Sequence, residues 1–217
     1  MVDLNRYRQI LEECSAHGAR LIVVTKDKPV KNIRVLYDAG HHAFGENRVQ
    51  ELLAKHETLP TDIEWHMIGH LQTNKVKQIV PFVTMIQSID SEKLLREVNR
   101  RAGQNGRIVD VLLQVHIAQE ETKFGFSPEE LKSLLSNSDF SRLTNIRVCG
   151  LMGIATLTDH DEQVRSEFKS LKTLFDELRA QRPQFTELSI GMSSDYRIAI
   201  EEGSTMVRVG SLILGER

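Results

Sequence analysis

The chain has 217 residues, 40% of them hydrophobic and 27% charged, enough to bury one substantial core, and no Pro/Gly/Ser-rich linker divides it. Its 28 basic and 30 acidic side chains leave a formal net charge of -2, so the overall field offers no attraction for nucleic acid or an anionic membrane. No apolar run approaches the roughly 18 residues of a membrane helix, and the N-terminus from Met1 to Arg8 lacks the apolar segment of a signal peptide; one cytoplasmic domain over 1–217 is expected.

In chain order, Leu4, Tyr7, Leu11 and Cys14 recur at spacings of three and four, with Gly18 as a stop, which predicts a helix ahead of the first strand. Strands are then predicted over 20–25, 42–45, 64–69, 82–88, 108–116, 146–153, 186–191 and 206–210. Each is short and mostly continuous in apolar character, as parallel strands covered on both faces should be. Helical patterns occupy 30–39, 47–56, 71–80, 91–103, 127–136, 161–181 and 194–202. The long one carries Val164, Phe168, Leu171, Leu174, Phe175 and Leu178 on one stripe. Ser91 and Ser127, the latter before Pro128, suit helix starts. Eight alternations of strand and helix in so short a chain predict an α/β fold, a (β/α)8 TIM-type barrel with an extra N-terminal helix, in preference to an open doubly wound sheet.

In such a barrel, chemistry sits at the C-terminal ends of strands. Lys26 ends the first strand, and its amine can form a Schiff base once deprotonated by desolvation or a neighbouring cation such as Lys28. Standing alone, a lysine there reads first as a solvated rim residue. The segment from Ser189 through Gly191, Ser193 and Ser194 into a helix suits a phosphate, or equally a plain capped helix, and Asp195 must turn away from any dianion. Gly210 and Ser211, ending the last strand, add backbone and hydroxyl donors. Barrels place phosphate sites after strands seven and eight, where these segments fall. Arg208 projects to the same side as Gly210 and is costly to bury unless it meets a ligand nitrogen or carboxylate. Glu46 and Asn47 read either as site residues or as a helix start. Cys14 and Cys149 lack metal-like spacing and read as packing residues, and the eight His form no zinc set; no metal is expected.

Together, Val24–Val30, Phe44–Glu51, Trp65–Lys75, Ser189–Asp195 and Val207–Ser211 resemble, in order and over nearly the whole chain, the pyridoxal 5'-phosphate homeostasis protein family, also called YggS/PROSC; Gly150–Gly153 and Thr122–Gly125 match family segments as well. The resemblance implies a barrel similar to the N-terminal domain of alanine racemase. It implies pyridoxal 5'-phosphate held as an aldimine by Lys26, its phosphate by Ser193, Ser194, Gly210 and Ser211, and its pyridine nitrogen facing Arg208. Asn47 is implied as a cofactor-shell residue, with Met152 or Ser88 near the ring. Arg48 stands where a tyrosine is frequent, Ser211 where threonine is common, and Leu214 where phenylalanine is usual. Serine keeps the hydroxyl, whereas Arg48 alters whatever uses the cleft beside the cofactor.

A permanently charged guanidinium at the ring nitrogen makes the cofactor a poor electron sink. Racemisation needs acid/base groups on both faces of the substrate carbon, of which Lys26 supplies one; with the chain expected to end after the eighth strand, the second domain of alanine racemase is missing. The expected function is therefore a monomeric carrier that buffers the free aldehyde and delivers it to apo-enzymes, with Lys123 or an exposed lysine assisting release. The alternatives are a racemase-like enzyme, with Tyr196 as a candidate acid, and a cofactor-free Schiff-base aldolase.

Overall fold

The structure, a computed structural model, describes residues 2–119 and 124–215; Thr122 and Lys123 lie outside them. Helix α1 (Leu4–Ala16) opens the chain, capped by the Asp3 carboxylate, which accepts from the Arg6 amide at 2.9 Å. Eight parallel strands follow: β1 (Arg20–Val24), β2 (Ala43–Glu46), β3 (Glu64–Met67), β4 (Met85–Ile89), β5 (Val109–Val115), β6 (Ile146–Gly153), β7 (Glu187–Ser189) and β8 (Met206–Val209). They hydrogen-bond in sequence order, and β8 returns to β1, closing the barrel. The helices between them are α2 (Val30–Asp38), α3 (Val49–Thr58), α4 (Val76–Ile79), α5 (Glu92–Gln104), α6 (Pro128–Ser136), α7 (Asp161–Gln181) and α8 (Tyr196–Glu201), and α9 (Ser211–Leu214) follows β8. None of these helices is long and apolar enough to cross a membrane.

The predicted barrel and N-terminal helix are both present, and the differences are local. The apolar run at 82–88 starts strand only at Met85, because the Phe82 and Val83 amides both bond the Ile79 carbonyl and close α4. The helix predicted over 71–80 splits into a 3-10 turn, Thr73–Lys75, and the single turn of α4. The strand predicted over 186–191 ends at Ser189, before Gly191 turns the chain at φ +95°. Two short elements, a 3-10 turn over Ser138–Arg142 and α9, have no periodic signal in sequence because neither completes two turns.

Alternation along the strands divides the core in two. Residues such as Val23, Phe44, Trp65 and Val207 face outward and pack beneath the helices, whereas Ile22, Ala43, Met85, Leu112, Cys149, Met152 and Met206 fill the barrel interior. The interior also carries a buried polar chain. Arg208 donates to the Ser189 hydroxyl at 2.6 Å, Ser189 donates to Gln87 Oε1 at 2.7 Å, and Gln87 Nε2 lies 3.0 Å from His66 Nδ1. Each of these side chains bonds the next, and the line ends at His66, whose Nε2 is buried without a partner. Burial pushes His66 down to about 3, and burial likewise pushes His41, under α1, down to about 4.

β5 and β6 change register at Cys149: Val111 pairs with Val148 but Leu112 pairs with Gly150. Gly150 adopts φ +152°, and a Cβ there would sit 1.8 Å from the Glu187 carbonyl oxygen of β7. Gly150→Ala is therefore expected to destabilise the fold by about 3 kcal/mol, read as a lowered urea midpoint.

His66 and His41 are neutral when folded at pH values where their unfolded forms are already protonated. The unfolded chain thus binds more protons between about pH 6.5 and their folded values of about 3 and 4, and stability falls as pH falls through that window. Replacing His66 with Gln keeps an amide beside Gln87 but removes the titration. Plotted from about pH 6.5 to 4.5, the unfolding free energy of His66→Gln should decline less steeply than wild type, by about 1.4 kcal/mol per pH unit.

Candidate functional site

The C-terminal ends of the strands surround a cleft of about 570 Å³. Lys26, Asn47 and Arg208 line it, as do Ser193, Ser194, Gly210 and Ser211, so the seven residues that the resemblance implied as cofactor-binding meet there. Val24, Ile68, Ile154, Met192 and Leu212 supply its apolar surface. In sequence these five look like ordinary core residues, and only the direction of the strand ends distinguishes them.

Lys26 follows β1 by two residues, and its amine makes no hydrogen bond or ion pair among the described residues. Lys28, also on the cleft, instead donates to the Gly215 carbonyl at 2.8 Å. The neighbouring rim is made by the segments after β7 and β8. The Gly210 amide donates to Ser193 Oγ at 3.1 Å, tying the two segments together. The amides of Ser193, Ser194, Ser211 and Leu212 make no hydrogen bond among the described residues, leaving four donors at one rim. Asp195 is nearly buried, and its carboxylate accepts from the Met192 amide at 2.5 Å, so it serves the local turn and is absent from the cleft lining.

Gly210 has a packing reason as well: a Cβ there would meet the Val24 carbonyl oxygen at 2.9 Å and Val24 Cβ at 3.1 Å. The missing side chain lets the segment after β8 lie against the end of β1, which brings the hydroxyl rim to the side of Lys26.

Arg208 is the floor of the cleft on β8. Its guanidinium donates to the carbonyls of Ser189 at 2.8 Å and Gly153 at 2.9 Å as well as to Ser189 Oγ. It forms no ion pair with a carboxylate among the described residues. Burial lowers its pKa to about 10, so it remains a cation at neutral pH. Asn47 lines the same cleft, and its Oδ1 is buried without a partner. A cation held by neutral carbonyls, an orphaned amide oxygen, a row of free amides and an unengaged amine suit a ligand with an anionic group, a ring acceptor and an aldehyde.

Other sequence candidates are placed elsewhere. Glu46 lies one residue before Asn47 but faces outward, fully buried against α3 and paired with Lys55 at 2.5 Å. Ser88 is buried and donates to the Gly69 carbonyl at 2.6 Å, and Met152 belongs to the barrel interior; neither lines the cleft. The Tyr196 hydroxyl donates to Glu13 of α1 at 2.7 Å, away from the cleft. Arg48 is largely exposed and pairs with Asp27 at 3.3 Å, outside the lining.

The model of the alanine racemase N-terminal domain matches residues 4–217. Over 201 residues the chain is 45% identical to the pyridoxal phosphate homeostasis protein of Aquifex aeolicus (strain VF5), covering 92% of this chain and 87% of that one. The protein of the same name from Schizosaccharomyces pombe is 36% identical over 221 residues, covering 100% and 91% of the two chains. The structure of PipY from Synechococcus elongatus PCC7942 with PLP bound superposes with a TM-score of 0.87 at 37% identity, over 97% of this chain and 99% of that one. On the barrel and on these likenesses, the chain belongs to the pyridoxal phosphate homeostasis protein family, built on the N-terminal domain of alanine racemase.

Proposed function

We propose that the cleft binds pyridoxal 5'-phosphate, holds it reversibly on Lys26, and so maintains the intracellular pool of this cofactor. The observation that carries this reading is the meeting, in one cleft, of the Lys26 amine, which makes no hydrogen bond or ion pair among the described residues, with the amides and serine hydroxyls after β7 and β8. The relative PipY, solved with PLP bound, and the relatives named for pyridoxal phosphate homeostasis support it.

Ser193, Ser194 and Ser211 would bind the phosphate through amide and hydroxyl donors. Arg208 would offer its buried N–H groups to the pyridine nitrogen, and Asn47 would contribute its unpartnered amide. Lys26 would supply the amine that condenses with the aldehyde, a C=N bond replacing C=O as the oxygen leaves as water with both hydrogens from the amine nitrogen. An aldimine formed this way is reversible by water or by another amine, which suits a carrier that delivers to apo-enzymes.

The enzyme alternative, a racemase-like catalyst, needs a strong electron sink at the ring and a second acid/base group facing the substrate carbon. Arg208 in its buried, fully protonated form opposes the first, and Tyr196, engaged with Glu13, does not supply the second. Amino-acid turnover far above that of free cofactor, abolished in Lys26→Ala, would replace the carrier reading with the enzyme one.

Mixing the protein with pyridoxal 5'-phosphate should produce a visible imine band and, after borohydride reduction, a peptide adduct at Lys26. Lys26→Ala should lose both. Absence of the band in wild type would sink this reading. Ser211→Ala removes a hydroxyl that makes no hydrogen bond among the described residues and should weaken cofactor binding about tenfold, read by titration of the band.

A further inference from the structure

Beneath the β1 end of the cleft lies a buried charge cluster that does not itself line it. Glu46 of β2 is fully buried, and Lys55 of α3 is nearly so. Lys55 Nζ donates to Glu46 Oε1 at 2.5 Å, to the Thr25 carbonyl at 2.7 Å and to Glu51 Oε2 at 3.3 Å. An ammonium has three hydrogens, and all three are used. Lys55 is therefore held in place by these three acceptors and does not line the cleft. Thr25 completes the cluster by donating its hydroxyl to Glu46 Oε1 at 2.5 Å.

Two of these contacts fall on the main chain immediately on either side of Lys26. The peptide before it is held through the Thr25 carbonyl by Lys55, and the peptide after it through the Asp27 amide, which donates to Glu51 Oε2 at 2.8 Å. The orientations of those two peptide planes are what φ and ψ of Lys26 describe. Asp27 itself sits at φ +57°, a left-handed conformation that a non-glycine residue adopts only when its surroundings hold it there. α3 thus determines the direction in which the Lys26 side chain leaves the backbone.

We propose that Lys55 and Glu51 are positioning residues for Lys26, holding both peptides that flank it so that its amine is aimed across the cleft toward the Ser193 and Ser211 rim. Glu46 supports them as the buried counter-charge that keeps Lys55 in place. The proposal rests on the reading of Lys26 as the aldehyde-binding amine. Its consequence is specific: disturbing the cluster weakens capture of the aldehyde without weakening the phosphate grip, because the phosphate rim stands on β7 and β8.

Two ligands separate these effects. Pyridoxal 5'-phosphate uses Lys26, whereas pyridoxine 5'-phosphate carries the same ring and phosphate with an alcohol in place of the aldehyde and cannot form the imine. In Glu51→Ala, affinity for the aldehyde, titrated by the imine band, is expected to fall about tenfold, the effect of losing a charge-assisted hydrogen bond. Affinity for the alcohol should stay within about twofold on the same basis. Glu51→Gln retains an oxygen for the Asp27 amide and should restore most of the loss. The double variant Glu46→Gln with Lys55→Met removes both buried charges together, avoiding an uncompensated one, and should show the same aldehyde-selective loss. Equal weakening of both ligands would mean a general structural role and overturn the proposal, as would unchanged aldehyde binding in both variants. A wild-type protein with no adduct at Lys26 would instead overturn the reading on which the proposal stands.

Discussion

Pairing of β8 with β1 is the contact on which the rest of the molecule depends. Arg20, Leu21, Ile22 and Val23 register with Met206, Val207, Arg208 and Val209, joining the first strand of the chain to the last. Until that ladder forms, Lys26 and the Ser193 and Ser211 hydroxyls belong to opposite ends of the polypeptide. Once it forms, Gly210 rests on Val24, and the amine and the hydroxyl rim share one cleft. Such long-range parallel pairing must overcome the loop-closure entropy of nearly the whole chain, which the outer apolar layer under the helices helps to offset.

The closed barrel also creates an interior in which polar groups must be satisfied by one another. Arg208, Ser189, Gln87 and His66 bond one another in a line across the core, with only His66 Nε2 of that line left without a partner. At the upper end of that line is a cation with carbonyls and a hydroxyl for partners, open to the cleft; at the lower end is a histidine that burial keeps neutral. The floor is therefore a cation whose hydrogen-bond partners are all neutral, with the Asp195 charge acting on it besides, and this favours an acceptor above Arg208. The cluster of Glu46, Lys55 and Glu51 plays a matching role outside the barrel wall, where its charges are spent on one another and on the main chain around Lys26.

Inward and outward alternation explains why neighbours in sequence separate in function. Glu46 and Asn47 look like one polar pair at the end of β2, yet the first faces α3 and the second the cleft. Ser88 and Met152 are near strand ends but are turned into internal contacts. Tyr196 begins the helix beside the hydroxyl rim, but its hydroxyl is taken by Glu13 on α1, an element almost the whole chain away. Side-chain direction at a strand end depends on where the strand stops and how the following turn is held, and a period-two pattern lasting four residues does not encode that.

By itself, the sequence determined the alternation of strands and helices, the count of eight, the helix ahead of β1 and the motifs at the strand ends, because apolar periodicity and turn residues are local properties of the chain. Lys26 and the serines of the last two loops were legible because they sit immediately after short apolar runs, and Arg208 because it projects to the same side of its strand as Gly210. Tertiary structure alone decided the register shift at Cys149, the α9 turn, the buried line from Arg208 to His66 and the grip of Lys55 and Glu51 on the backbone around Lys26. Each of these depends on which residues the closed barrel places within hydrogen-bonding distance, and that distance is set by the packing of elements far apart in the chain.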